Sequence, residues 1–478
     1  MIFNSQEFII FFPLVAALYF LFPIKYRWSI LLIASFVFYM FWKPEYIIIL
    51  LISSFTDYFA ALFIFKYRNS SKKKFFLFVS IFINLLILVS FKYYNFISEN
   101  LNWGLSYLDF QKQLPLLNVL LPVGISFYTF QAMSYTIDVY RRKVMPERNF
   151  LRFELYVLFF PQLVAGPIER TNALLPQVNT PHRFNAERLS TGLKLMALGF
   201  FMKIAIADNL ALIVTEVFSK PNSYFGWDII LATFLFAIQI YCDFAGYTNI
   251  ARGAAHILGI DLLKNFKQPY FAISIRDFWK RWHISLSTWF RDYLYLPLGG
   301  KRVIKWRWYY NLFITFIISG IWHGANWTFL IWGAIHGSVY LAETIFRSKI
   351  KKNVNITNKI DNSLIIKLAR IFFTFIIVCF SWIFFRANNI NEAFVLIDNM
   401  LQIKSILPHF SFDRKLLLIF FILISLLFII DKIEYKTDLN KYLQTKNIIF
   451  RWTVYYIIIF SIIGFGNWEL NEFIYFQF

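Results

Sequence analysis

Long apolar segments separated by short basic segments dominate this sequence. A helix needs about 20 mainly apolar residues to cross a bilayer. Backbone polar groups in lipid must be hydrogen-bonded within the protein, so only helices or closed barrels span it. The segments lack the alternation of barrel strands. We therefore predict an all-α, polytopic integral membrane protein. The apolar segments are Phe8–Pro23, Trp28–Trp42, Tyr46–Phe65, Phe75–Phe91, Leu116–Ile137, Leu151–Ala165, Leu189–Phe218, Trp227–Tyr247, Leu312–Trp322, Trp327–Ala342, Ile371–Phe385, Leu416–Ile430 and Ile448–Phe465.

The composition supports a membrane location and argues against a nucleic-acid partner. Hydrophobic residues make up 59% of the chain and charged residues only 16%, where about 25% charged is usual for soluble domains. The net charge of +21 comes from Lys and Arg in the short loops. Basic loops of this kind face the cytoplasm and the anionic lipid bilayer. Two cysteines, Cys242 and Cys379, are too few for a disulfide framework.

The basic loops also predict the orientation of the chain in the cell (inner or plasma) membrane. Clusters at 25–27, 66–74 and 141–143 follow the first, third and fifth apolar segments. Placing them in the cytoplasm puts the N-terminus on the extracytoplasmic side. The region 151–297 mixes apolar segments with Arg, Lys, Trp and Pro, so we expect interfacial or re-entrant helices there. We expect the whole chain, 1–478, to form a single domain.

Ionisable residues inside apolar segments are costly and are therefore candidates for function. Lys203 and Asp208 could form an internal ion pair that holds two helices together. Asp243 has Gln239 and Tyr247 four residues before and after it, so one helical face carries three hydrogen-bonding groups. That polar stripe could line a cavity, or it could join neighbouring helices. The sequence leaves these alternatives open.

The segment 276–300, RDFWKRWHISLSTWFRDYLYLPLGG, is rich in basic, aromatic and hydroxyl residues. Lys280, Arg281 and Arg291 supply positive charge, and tryptophans such as Trp282 suit the headgroup level. One interpretation is an amphipathic helix bound to anionic lipid. The other is a basic opening for an anionic cofactor tail on the cytoplasmic side.

A second dense segment, IWHGANW at 321–327, follows an apolar segment. His323 lies between Trp322 and Gly324, with Asn326 one turn away. The pKa of imidazole lies near physiological pH, so histidine is the usual general base for activating a hydroxyl. His336 would lie roughly 220° away on a continuous helix, so we interpret it as structural. HExxH, Cys/His clusters, a Walker loop and GxSxG are absent from the sequence, so we expect no metal and no bound cofactor.

Together these motifs resemble the membrane-bound O-acyltransferase superfamily, and in particular its bacterial branch that contains the alginate O-acetylation membrane subunit. FWKRWHISLSTWFRDYLYLPLGG is followed by SGIWHGANWTFLIWGAIHG. Further similar segments are MIFNSQEFIIFFP, PVGISFYTFQAMSYTIDVYRRK, FFPQLVAGPIER and IYCDFAGYTNIARGAAHILGI, in the same order. The similarity covers most of the chain, with a motif core at about 118–345 and C-terminal spans at about 371–466.

This resemblance implies a helical bundle around a transmembrane funnel, with His323 as the catalytic histidine and His283 as the second motif histidine. Asn326 could orient His323, stabilise an oxyanion or pack between helices; Trp322, Asp243 and Gln239 could line the funnel. The donor would be acetyl-CoA or another acyl thioester. The acceptor would be an extracytoplasmic polysaccharide, reached directly or through a relay protein. The cations expected to hold the donor are Arg276, Lys280, Arg281 and Arg291.

Two other classes of protein also use polytopic helices. A transporter or flippase would carry paired repeats with broken helices in both halves, which the sequence does not display. A scaffold subunit of a polysaccharide export complex would tolerate substitution of His323. The order and length of the motifs favour the acyltransferase over both.

Overall fold

The computed structural model describes residues 1–108, 113–164, 166–350, 363–404, 408, 414–469 and 472–476. The regular secondary structure in these ranges is helical, and they contain no strand. This confirms the predicted all-α fold. The described chain groups into two compact units. The prediction that 1–478 behaves as one domain stays a prediction.

The first unit comprises Met1–Met196, Tyr247–Leu263 and Tyr475–Phe478. Capping side chains begin several of its helices: Ser5 accepts a hydrogen bond from the amide of Phe8, and Asn149 from that of Arg152. Its helices are α1 Gln6–Leu21, α2 Arg27–Met40, α3 Ile47–Lys66, α4 Lys72–Leu88, α5 Tyr94–Tyr107, α6 Ile125–Tyr140, α7 Phe150–Leu158, α8 Phe160–Leu163, α9 Thr171–Asn179 and the first part of α10 Ala186–Phe200.

The second unit comprises Ala197–Gly246 and Lys264–Ile474. It begins with the end of α10, which continues through a π-helical turn, Phe201–Ala207, into the next helix. Its helices are α11 Asp208–Ser219, α12 Trp227–Ile257, α13 Ile275–Phe278, α14 Ile284–Phe290, α15 Lys305–His323, α16 Trp327–Ile350, α17 Leu364–Arg386, α18 Ile390–Leu401, α19 Arg414–Lys436, α20 Leu439–Gln444 and α21 Ile448–Phe465. The end of α12, from Tyr247 onward, belongs to the first unit.

Seven helices among the described residues are long and apolar enough to cross a bilayer. They agree with the apolar segments of the sequence, and the protein is therefore a multi-pass membrane protein. These helices are Pro44–Lys66, Lys72–Tyr107, Ala186–Ser219, Trp227–Ile257, Trp327–Ser348, Leu364–Arg386 and Ile448–Phe465.

Two apolar segments are interrupted. Within 116–137 the helix begins only at Ile125, after Gly124 with φ of 75°. The segment 151–165 breaks at Phe159, whose torsions are non-helical, and a short helix begins again at Phe160-Pro161. Proline cannot donate the backbone hydrogen bond that would continue α7 through this point. Interfacial or re-entrant helices were expected in the region 151–297. Short helices lie there together with two long ones, α10–α11 and α12, which match the apolar segments 189–218 and 227–247.

A buried carboxylate joins three helices of the first unit. Asp57 on α3 accepts hydrogen bonds from Ser80 and Asn84 on α4 and from Thr136 on α6, the last two at 2.9 and 3.1 Å. All four side chains are buried. Polar contacts of this kind hold transmembrane helices together, so Asp57 has a packing role.

A buried ion triad organises the second unit. The amine nitrogen of Lys203 lies 2.8 Å from a carboxylate oxygen of Asp208 and 2.7 Å from one of Asp243 on α12. The predicted Lys203–Asp208 pair is therefore present, but it does not connect separate helices. The π-helical turn brings these residues, five apart, onto one face of α10–α11. The contact with a second helix is made through Asp243.

Close backbone approach accompanies this triad. A Cβ atom added at Gly246 on α12 would lie 2.8 Å from the carbonyl oxygen of Gly199 and 3.0 Å from the amide nitrogen of Lys203. Backbone atoms cannot move aside as a flexible side chain can. Gly246 therefore sets the distance at which Asp243, one turn earlier, meets Lys203.

We predict that Gly246→Ala destabilises the protein by about 1–3 kcal/mol, because the added methyl group overpacks two backbones. Gly104→Ala is the matched control, since its added Cβ meets no atom within 4 Å. It should be neutral or stabilising by up to about 1 kcal/mol. Thermal unfolding of the purified proteins in one detergent measures both changes. Equal melting temperatures for the two variants would contradict this account of the helix contact.

Candidate active site

Three glycines bring α15 and α16 into close contact. A Cβ atom at Gly320 would clash with the carbonyl oxygen of Phe329, and one at Gly333 would lie 2.5 Å from the carbonyl oxygen of Phe316. Gly324 adopts extended torsions and ends α15 directly after His323. The ring of Phe329 occupies the place that a side chain at position 324 would need. The sequence His-Gly thus ends a helix with the imidazole on its last residue.

His323 is buried among aromatic rings. Its ring centroid lies 4.9 Å from that of Trp332 on α16 and 5.4 Å from that of Phe385 on α17, both in edge-to-face geometry. The side chain is 2% exposed. These large rings leave the imidazole few orientations, so the site is rigid before any substrate arrives.

His283 caps the start of α14 in a left-handed conformation, with φ of 42°. This region is uncommon for residues other than glycine, and such strain is concentrated at functional sites. Asn265 supports the strained turn: its carbonyl oxygen accepts from the amide of Ile284, and its side-chain oxygen accepts from that of Ser285. Burial lowers the pKa of His283 to about 3, so the imidazole is neutral at physiological pH.

The structure brings the two motif histidines together although 40 residues separate them in the sequence. Their ring centroids are 6.4 Å apart. Trp322 lies beside both, with its centroid 6.2 Å from that of His283 and 5.1 Å from that of His323. Phe244 on α12 packs edge-to-face on His283 at 4.7 Å. A pair of buried imidazoles with aromatic walls is therefore the centre of the candidate site.

Three other residues expected at the site, Asn326, Asp243 and Gln239, are buried on α12 or have structural partners. The side-chain nitrogen of Asn326 donates to the carbonyl oxygen of Asn388 at 2.7 Å, and its oxygen accepts from the amide of Thr328. These contacts favour the packing alternative for Asn326. Asp243 is held by Lys203, and Gln239 is buried one turn before it on α12.

His336 has a hydrogen-bond partner at each ring nitrogen. Its Nδ1 accepts from the indole of Trp279 at 3.3 Å, so Nε2–H donates to the hydroxyl of Ser381 at 2.9 Å. The interpretation of His336 as structural agrees with this geometry. The assumed continuous helix is wrong, however, because Gly324 separates α15 from α16. His323 and His336 both contact Trp332.

A basic cavity of about 670 Å³ adjoins this centre. It extends to Ser319, one helical turn before His323 on α15. Trp279 also lines it and contacts Trp332, which in turn contacts His323. Among the described residues that line the cavity, none is acidic and five are basic: Arg276, Lys280, Arg291, Lys301 and Arg347.

Three of the four cations expected to hold the donor line this cavity, and the fourth does not. Arg276, Lys280 and Arg291 line it, the last with its guanidinium bound to Asp292 at 2.7 Å. Arg281 does not: its side chain pairs with Asp277 at 3.0 Å and lies over the ring of Tyr435. Sequence reasoning missed Lys301 and Arg347 as cavity residues. Both lie in further basic segments of the sequence, 301–307 and 347–370, which the positive-inside rule predicts to be cytoplasmic. That charge pattern was the signal available for finding them.

Comparison with known proteins decides the family. The sequence model of the family described as "MBOAT, membrane-bound O-acyltransferase family" matches residues 36–385. This range includes both histidines and all residues that line the basic cavity, up to Arg347 and Ser348. The chain belongs to this family. It is therefore an acyltransferase, and family membership favours this class over the transporter and the scaffold.

Named relatives share most of the chain. The probable alginate O-acetylase AlgI of Pseudomonas syringae pv. tomato is 38% identical over 395 residues, covering 82% of this chain and 74% of the relative. The peptidoglycan O-acetyltransferase of Helicobacter pylori is 34% identical over 408 residues, covering 80% and 75%. The teichoic acid D-alanyltransferase of Bacillus subtilis is 29% identical over 283 residues, covering 57% and 70%.

The lowered pKa of His283 predicts how stability depends on pH. Between pH 3 and about 6.5 the imidazole of His283 is protonated in the unfolded state but neutral in the folded state. Above pH 6.5 it is neutral in both states, so it does not lower the free energy of unfolding there. Below pH 6.5 the free energy of unfolding falls as the pH decreases. The expected loss is about 1.4 kcal/mol for each pH unit below 6.5. We predict that the melting temperature of the wild type falls more between pH 7.5 and 5.5 than that of His283→Gln. Parallel curves for the two proteins would disprove this prediction.

Proposed function

We propose that this protein is an O-acetyltransferase that moves an acetyl group from a cytoplasmic thioester to a hydroxyl of an extracytoplasmic polysaccharide. Transfer is direct or passes through an extracytoplasmic relay protein. The observation that carries the proposal is the position of buried His323 one helical turn from Ser319, which lines a basic cavity. Relatives named for O-acetylation of alginate and of peptidoglycan support the acetyl group and the glycan acceptor.

His323 is proposed as the general base. As the acceptor oxygen attacks the thioester carbonyl, its proton passes to the imidazole, and collapse of the tetrahedral intermediate breaks the C–S bond. The imidazolium then returns the proton to the leaving thiolate, so an acetyl ester and a free thiol result. A positioned imidazole contributes about 10²–10⁴-fold to such a transfer. His283 is proposed as the second functional residue, which in its neutral form can donate or accept a hydrogen bond at the reacting oxygen.

The donor is proposed to enter through the basic cavity. Acetyl-CoA carries phosphate groups at one end and the thioester at the other. Arg276, Lys280 and Arg291 would bind the phosphates through charge-assisted hydrogen bonds. Apolar and aromatic side chains such as Phe316 on α15 also line the cavity, and they suit the uncharged arm of the donor.

The orientation inferred from charge agrees with this donor path. Lys301 and Arg347, which line the cavity, lie in or border loops that the positive-inside rule assigns to the cytoplasm. Thioester donors are made in that compartment. The N-terminus is then extracytoplasmic, and the membrane is the plasma or inner membrane of the cell. The acceptor is an alginate-like polymer or a cell-wall glycan.

His323→Ala should remove O-acetyl groups from the surface glycan, because the attacking hydroxyl loses its base. We expect a rate loss of about 10²–10⁴-fold. The measurement is the O-acetyl content of surface glycan in cells matched for membrane expression. His182→Ala controls for loss of a histidine, since its ring bonds to the carbonyl oxygen of Gln177 in the first unit. Full acetylation by His323→Ala, in cells and after purification, would overturn the catalytic assignment.

Lys280→Gln should raise the KM for acetyl-CoA about tenfold with little change in kcat, because a cation that contacts phosphate contributes equally to ground and transition states. The rate is measured in inside-out membrane vesicles from the producing cells, supplied with radiolabelled acetyl-CoA. Arg307→Gln is the matched control: Arg307 lies over the ring of Tyr310 and outside the cavity lining. Arg281→Gln, whose guanidinium is held by Asp277, should resemble this control. Unchanged donor kinetics in Lys280→Gln would refute the assigned donor path.

A further inference from the structure

After α21 the structure describes residues 466–469 and 472–474 of the second unit, here called the docked segment, and the first of these parts contacts the π-helical turn. The amide of Asn467 donates to the carbonyl oxygen of Ile204 at 2.9 Å. In return, the side-chain nitrogen of Asn209 donates to the carbonyl oxygen of Phe465 at 2.7 Å. A π-helical turn disturbs the regular i→i−4 pattern, which makes its backbone carbonyls available to an outside donor.

The ion triad holds the next part of this segment. The amide of Ile474 donates to the second carboxylate oxygen of Asp243 at 2.7 Å, while the first oxygen pairs with Lys203. Lys203 also reaches the carbonyl oxygen of Glu472 at 3.5 Å. Removing charges from water is costly, and such groups need several partners to offset that cost. The segment supplies two of those partners.

Between these two anchors lies a fully buried aromatic residue. Phe473 packs on Phe244 with 5.3 Å between ring centroids, and Phe244 is the residue directly after Asp243 on α12. Phe244 also packs edge-to-face on His283 at 4.7 Å. A continuous line of side-chain contacts therefore runs from the docked segment to the second motif histidine.

The contacts from Phe473 through Phe244 to His283 matter because the backbone of His283 is left-handed. A residue held in an unfavourable conformation keeps it only when its surroundings leave no alternative. Asn265 fixes the backbone side of the turn, and Phe244 meets the imidazole. Without Phe473, the ring of Phe244 can turn away into the vacated space, and the imidazole of His283 gains freedom relative to His323.

We propose that Phe473 is a positioning residue of the acyltransferase: anchored by Asp243, it holds His283 in its working orientation through Phe244. The inference rests on the proposed role of the histidine pair. It also assigns the buried ion triad a structural role, because Lys203 and Asp243 determine where the docked segment binds. Phe473 itself does not touch the reacting atoms.

The first test compares Phe473→Ala, Phe473→Leu and Phe460→Ala in the vesicle assay with radiolabelled acetyl-CoA. Phe460 on α21 is 64% exposed and controls for loss of an aromatic ring. We expect Phe473→Ala to lower kcat about tenfold with an unchanged donor KM, since a shift of about 1 Å at a catalytic group is costly. Phe473→Leu should restore most of the rate. A wild-type rate in Phe473→Ala would overturn the proposal.

A double-mutant cycle separates positioning from general destabilisation. If Phe473 acts through His283, Phe473→Ala should add little to the defect of His283→Gln, because linked residues are not additive. Full additivity would overturn the proposal. If Phe473→Ala fails to fold, Phe244→Leu tests the same series of contacts, because Phe244 contacts both Phe473 and His283. A wild-type kcat in Phe244→Leu would also overturn the proposal. Failure of the proposed function is distinguishable: His323→Ala would then retain activity, whereas failure of this inference alone leaves His323→Ala inactive.

Discussion

The absence of water from a bilayer is the constraint on which the rest of this structure depends. Every backbone amide and carbonyl in lipid must find a partner within the protein, and continuous helix is the simplest solution. Continuous helix offers few positions for chemistry, because its side chains face lipid or neighbouring helices. The candidate functional groups accordingly lie where helices stop or change: His323 at the end of α15, His283 at the start of α14, and Lys203 in the π-helical turn.

Glycine determines how closely these interrupted helices meet. Gly320 and Gly333 let the backbones of α15 and α16 touch, and Gly324 leaves room for the ring of Phe329. Small residues serve the same purpose in helix association throughout membrane proteins, where van der Waals packing replaces the hydrophobic effect. Here the packing also has a local result. It places the last residue of a helix, His323, against a wall of aromatic rings, with a basic cavity one turn away.

Much of this arrangement was predictable from the sequence, and the part that was not has physical reasons. Apolar segments gave the membrane helices because hydrophobic length is a property of the chain itself. The His323 motif and the cations Lys280 and Arg291 were also identified. The break after His323 coincides with the gap between the apolar segments 312–322 and 327–342, but the angle given for His336 assumed a continuous helix across it. The left-handed conformation of His283 was missed, since it is imposed by Asn265 and by packing from distant residues.

The contact between Asp243 and Ile474 joins residues 231 positions apart. Ribosomes add about 5–20 residues per second, so roughly 10–50 s separate the synthesis of these two residues. Lys203 and Asp243 are thus synthesised well before the segment that completes their hydrogen bonding. A nascent or prematurely ended chain holds the histidine pair without Phe473 behind it. The order of synthesis therefore makes the packing of Phe473 behind the histidine pair a late event in the biogenesis of the protein.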